Sequence, residues 1–242
     1  MFYKLISKKN FSLNLTMQHL LIISCGFSCL LLCARIYITG DITFLFLVWN
    51  LFLAFIPFAI TQWLSFNSRI AESKVKLAAI LFLWLLFIPN SFYILTDLFH
   101  LDNFESAPKW FDLLLIFSFA WNGILFGVVS IRGIEIILEK ITGRGFSFFI
   151  VFTVMWLNAF GIYIGRYLRF NSWDIVVQPF SLFKEMFEVL FHPLNNKMEW
   201  GMIAVYAVFM TVLYITIKKV GENFHKQNQQ CAAHRVPWTS CG

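Results

Sequence analysis

Charge is what this chain has least of. Charged side chains make up 13% of its 242 residues, about half the share found in soluble domains. So little charge excludes an ordinary water-facing surface. No run of five or more Lys or Arg occurs, and the net charge of +6 is scattered among apolar stretches, which argues against a nucleic-acid surface. The five cysteines make neither a CxxC motif nor a Cys/His zinc spacing. Cys25, Cys29 and Cys33 recur every four residues on one helical face and read as small hydrophobes. Cys231 and Cys241 fall in the polar tail. Also missing are a nucleophile elbow, a phosphate-cradling glycine loop and an internal repeat.

What fills the chain instead is apolar. Hydrophobic residues make up 59%, Phe alone occurs 30 times, and mean hydropathy is +0.72. A spanning helix needs about 20 mostly apolar residues. Six runs qualify, at approximately 18–38, 44–65, 75–95, 110–131, 146–167 and 200–217. The fold expected is all-α, a polytopic membrane helix bundle. A single transmembrane domain would cover 1–217, followed by a disordered polar tail at 218–242. "MFYKLISKK" resembles the charged start of a signal peptide. No small-x-small site follows it and Arg35 closes the run, so the first span is expected to be retained.

Lys and Arg set the orientation. One set of loops holds Lys4, Lys8, Lys9, Arg69, Lys74, Lys76, Arg132, Lys140, Arg144, Lys218, Lys219, Lys226 and Arg235. The other holds Arg35, Lys109, Arg166, Arg169, Lys184 and Lys197. The first set is larger by about two to one and belongs inside, which puts both termini in the cytoplasm. "PNSFYILTDLFHLD" (89–102), "GIYIGRYLRFNSWDI" (161–175) and "WN" (49–50) then all meet the outer side.

Ionisable groups near spans face protein or water and have partners. Asp97 and His100 are three apart and share a helical face, so they are the candidate catalytic residues. They suit proton transfer, with Asp97 orienting His100, or a metal held by carboxylate and imidazole. The plain alternative is that Thr96 or Asp97 caps a short helix. Arg166 and Arg169, also three apart, would clamp a phosphate or carboxylate, or else pair with Asp174, Asp112 or Asp97. With Asn90, Tyr93, Asn171 and Asp174 they form the candidate substrate-binding set. Asn122 and Asn158 lie deeper and read as hydrogen-bonding glue between helices.

Pro57 and Pro89 are expected to kink or break their helices. "GILFG" (123–127) and "GIYIG" (161–165) provide small faces for close packing, either within the chain or in an oligomer. "PFSLFKEMFEVLF" (179–191) reads as an amphipathic helix, with Phe180, Phe183, Phe187 and Leu190/Phe191 on one side, lying on the outer membrane surface. Pro179 suits its first turn.

"VWNLFLAFIP" (48–57), "WLLFIPNSFYILTDLFHL" (84–101), "WFDLLLIFSFAWNGILFG" (110–127) and "GIYIGRYLRFNSWDI" (161–175) resemble domain-of-unknown-function family 1361. The likeness covers roughly residues 44 to 217. It implies a bacterial multi-span membrane protein and no particular activity. The functional expectation is a membrane-embedded enzyme or binding protein with an outer-facing polar site for an anionic or lipid-linked substrate. Cofactor and metal stay open. The alternatives are a small transporter or channel, and a non-catalytic assembly subunit with a structural ion-pair network.

Overall fold

In the computed structural model the described residues are 3–67, 73–101, 107–170, 177–192 and 195–234. Their side chains are described from residue 18 onward, apart from 144, 225–226 and 228–234. Every regular element among them is helical. Helix α1 is Tyr3–Thr39, α2 Phe46–Phe66, α3 Lys74–Tyr93, α4 Lys109–Thr142, α5 Arg144–Arg166, α6 Pro179–Phe191 and α7 Lys197–His234. Short 3-10 segments lead into α2 (Thr43–Leu45) and extend α3 (Ile94–His100). Six stretches are long and apolar enough to cross a membrane: Gln18–Thr39, Thr43–Phe66, Lys74–His100, Lys109–Thr142, Gly145–Arg166 and Lys197–Phe224. Each coincides with one of the six apolar runs read from hydropathy.

The chain divides into two compact units, Met1–Ser130 and Ile131–Gly242. The boundary falls within α4. Helix α7 continues through His234, past its apolar part. Its polar end, "IKKVGENFHKQNQQCAAH", is rich in Lys and Gln, which favour helix, and contains no proline.

In the first unit α1 buries Leu21, Ser28, Leu32 and Arg35, one stripe at helical spacing. The core joins these to Leu47, Leu51 and Phe58 of α2 and to Leu115, Ile116, Phe119 and Ala120 of α4. Asn122 of α4 donates to the Ser28 hydroxyl at 2.9 Å, so it works as the expected glue.

The prolines do not break their helices. Both α2 and α3 run through them. Side chains on α3 and α4 bond the α2 backbone on either side of Pro57. Ser91 of α3 donates to the Ala54 carbonyl at 3.1 Å, and Ser130 of α4 to the Pro57 carbonyl at 2.9 Å. Thr61 shares that carbonyl, and Trp84 donates its indole N–H to Ser130 at 2.8 Å.

The small face of α4 is filled from within the unit. A Cβ on Gly123 would collide with the Ile94 methyl and lie 2.9 Å from the Ser91 carbonyl oxygen. One on Gly127 would lie 2.9 Å from both Ser91 and Phe92. These two glycines permit the approach of α3 and the segment after it.

In the second unit α5 and α7 pack together. Helix α7 contributes the buried stripe Ile203, Ala207, Met210 and Tyr214. Helix α6 starts at Pro179 and buries only Leu182 and Val189. Phe180, Phe183, Phe187 and Phe191 are exposed, as the amphipathic pattern requires. Trp200 of α7 ties down its end by donating to the Val189 carbonyl at 3.0 Å.

Gly123→Ala is expected to lower stability by about 1–3 kcal/mol through overpacking against backbone. Gly26→Ala, with nothing within 4 Å of the added methyl, should leave it unchanged or raised. Thermal unfolding of the detergent-solubilised variants checks both.

Candidate functional site

The site in the first unit is built on Ile94–His100. Here α3 tightens to three residues per turn, so side chains three apart eclipse each other. Ile94, Asp97 and His100 therefore share a face. Ile94 seats that face on Gly123. Asp97 is 1% exposed, and its Oδ2 accepts from the Asn50 amide of α2 at 2.8 Å. One turn earlier on α2, the Phe46 ring meets His100 edge-on at 5.2 Å. Positions 46 and 50 of α2 thus receive His100 and Asp97 in antiparallel order. The "WN" stretch and the "TDLFH" stretch are in contact.

Thr96 donates its hydroxyl back to the Tyr93 carbonyl at 2.7 Å, which is the reverse of an N-cap. Asn90 sits in the last turn of α3 and donates to the Phe87 carbonyl at 3.0 Å. Tyr93, half-buried, ends that helix. Among the described residues no three His, Cys, Asp or Glu gather as a metal set.

A fully buried ion pair accompanies this face within the same unit. Arg35 Nε donates to Asp112 Oδ1 at 2.8 Å, and Nη2 reaches Oδ2 at 3.4 Å. Both side chains have no exposure. The guanidinium lies 4.3 Å from the centre of the Phe44 ring, a cation–π contact. Asp41 approaches the same Arg35 at 3.6 Å. The Thr43 hydroxyl and backbone N–H, both donating to Asp41, hold its carboxyl below the usual carboxylate range, and Arg35 adds to this.

The residues expected from the end of the fifth span fall in the second unit. Arg166 is the last residue of α5. Arg169 lies beyond the helix, exposed, with a left-handed backbone (φ 60°). Phe170 then turns back to donate to the Ile164 carbonyl at 3.3 Å. A shared helical face for the two arginines does not follow, because the helix stops before the second. Asn171 and Asp174 lie outside the described residues, as does Asp102. Asp112, considered above as a partner for these arginines, is bound to Arg35.

Two features have no counterpart in the reading of the sequence. One is the Arg35–Asp112 pair. Its signals were an arginine at the end of one apolar run and a carboxylate in the first turn of another. The other is Glu135 of α4, whose side chain is 2% exposed. It accepts from Tyr214 at 2.6 Å, from Lys218 at 2.7 and 2.9 Å, and from Arg132. Glu139 and Glu222 lie 3.5 and 3.8 Å from Arg132. The spacings Arg132/Glu135 and Tyr214/Lys218 carried the signal, hidden among charges that read as topogenic. Asn158, expected as glue, is fully buried, and neither of its amide atoms has a hydrogen-bond partner among the described residues.

Comparison with known proteins adds one match. A family model described as "Protein of unknown function (DUF1361)" matches residues 49–215. No curated protein and no solved structure matches the chain.

Arg35→Met alone is expected to cost about 3–5 kcal/mol by stranding the buried Asp112 carboxylate. Arg35→Met combined with Asp112→Leu should recover most of that loss. Chemical denaturation of the three variants in detergent measures the coupling, and a double variant no better than the single would deny it.

Proposed function

The chain belongs to the DUF1361 family, and we propose that it is a membrane-embedded enzyme or binding protein with an outer-facing polar site for a lipid-linked or anionic substrate. The observation that carries this is Asp97. A carboxylate 1% exposed, held by an amide from another helix and eclipsed with an imidazole three residues on, is poised for proton exchange with a bound group. In this reading His100 is the acid or base and Asp97 orients it. Asn90 and Tyr93 border the substrate. Arg166 and Arg169 provide, in their own unit, a seat for an anionic headgroup. The membrane is the bacterial inner membrane, with both termini cytoplasmic.

A second reading has its own support. The buried Arg35–Asp112 pair is of the kind that fixes packing. By that reading the whole polar face is architecture and the chain is an assembly subunit.

The two readings part on Asp97→Asn and His100→Ala. The enzyme or binding reading expects both variants to keep wild-type thermal stability and membrane abundance. It also expects both to lose a lipid that the wild type carries out of the membrane, as read by native mass spectrometry from lipid nanodiscs. Variants that carry the same lipids as wild type, or that simply fail to accumulate, would end that reading.

A further inference from the structure

We propose that the first unit holds a seat for the hydrocarbon tail of one membrane lipid, in a groove between α1 and α2. This deepens the reading above and rests on it in one respect: the tail is taken to belong to the molecule whose polar end meets Asp97 and His100.

The groove encloses about 540 Å³. Gln18 is its one polar lining residue, and Cys25, Val48, Phe52, Phe55 and Phe126 are among the others. All its walls belong to stretches apolar enough to span a membrane. Its lip is formed by Ile22, Phe52 and Phe55, which are 68%, 52% and 42% exposed. The groove is therefore continuous with the surface that these spans turn toward lipid. Water would find too few polar partners there, and an apolar hollow of this kind stays dry. The occupant that matches is hydrocarbon.

Length narrows the occupant further. The α2 wall runs from Val48 to Phe58, a rise of about 15 Å. That is half of a hydrocarbon core of about 30 Å, the reach of a single tail. One side of the groove is preformed, because Phe55, Phe58 and Phe126 hold one another at ring separations of 5.2 to 5.8 Å. At the other end Val48 lies within a turn of Asn50, which binds Asp97. A tail lying along this wall would leave its head beside the polar site.

The test uses the full chain in phosphatidylcholine vesicles doped with phosphatidylglycerol carrying a diazirine midway along one acyl chain. After photolysis, crosslinks are mapped by peptide mass spectrometry. The expected result is labelling concentrated at Leu21–Cys25 and Val48–Phe58, well above that at the exposed α7 residues Val205, Val208 and Phe209. Cys25→Trp fills the groove and should abolish its labelling while sparing α7. Val48→Trp serves the same purpose should the first variant misfold. Groove labelling no denser than that of α7, labelling unmoved by filling, or crosslinks to a second copy of the chain would each overturn the proposal. Asp97→Asn separates the two ideas. Tail labelling that persists in that variant upholds the groove, whether or not the retained lipid is lost. Absent tail labelling in the wild type defeats the groove and leaves the headgroup reading to its own experiment.

Discussion

A charge that cannot reach water must find its opposite inside the chain, and in this protein that obligation falls first on Arg35 and Asp112. Neither side chain has any exposure. Their union joins the end of α1 to the start of α4, two helices whose facing residues are 77 apart in sequence. With that register set, Ser28 meets Asn122 further along the same two helices. Phe44, stacked on the guanidinium, places the turn that leads into α2. The first turns of α2 can then present Phe46 and Asn50 to the segment carrying His100 and Asp97.

The same rule governs the backbone. Beside Pro57 two serines and a threonine donate to the Ala54 and Pro57 carbonyls, which ties α2 to α3 and α4. Those donors reach their targets because Gly123 and Gly127 let the third and fourth helices approach closely. In the second unit Glu135 is matched by Arg132, Tyr214 and Lys218. Most buried polar groups thus have structural partners. At Asp97 and His100 a carboxylate and an imidazole share one face, met by an amide and an aromatic edge.

Much of this was legible in the sequence, and the boundary of what was not is physical. Hydropathy is a local property, so the six spans and the all-helical class could be read from windows of about 20 residues. The meeting of Asn50 with Asp97 followed at the level of compartment, since both flank their spans on one side. Pairing is not local, because it depends on how each helix is rotated about its axis. Nothing in the window around Arg35 names Asp112, and nothing around Glu135 names Tyr214 or Lys218. The Arg166/Arg169 spacing misled for a related reason. A three-residue interval implies a shared face only while the helix lasts, and here it ends at Arg166. The polar end of α7 shows the converse, since helix formers without a proline carry the helix on past its apolar part.

The central claim is that the Asp97–His100 face opens to the outer compartment. Its most direct test is cysteine labelling in intact cells. In a chain with Cys25, Cys29, Cys33, Cys231 and Cys241 replaced by serine, His100→Cys should react with a membrane-impermeant maleimide added outside. Lys140→Cys, on the opposite side of the fourth span, should react only after permeabilisation. Labelling of His100→Cys only after permeabilisation, or labelling of Lys140→Cys in intact cells, would invert the orientation and contradict the account.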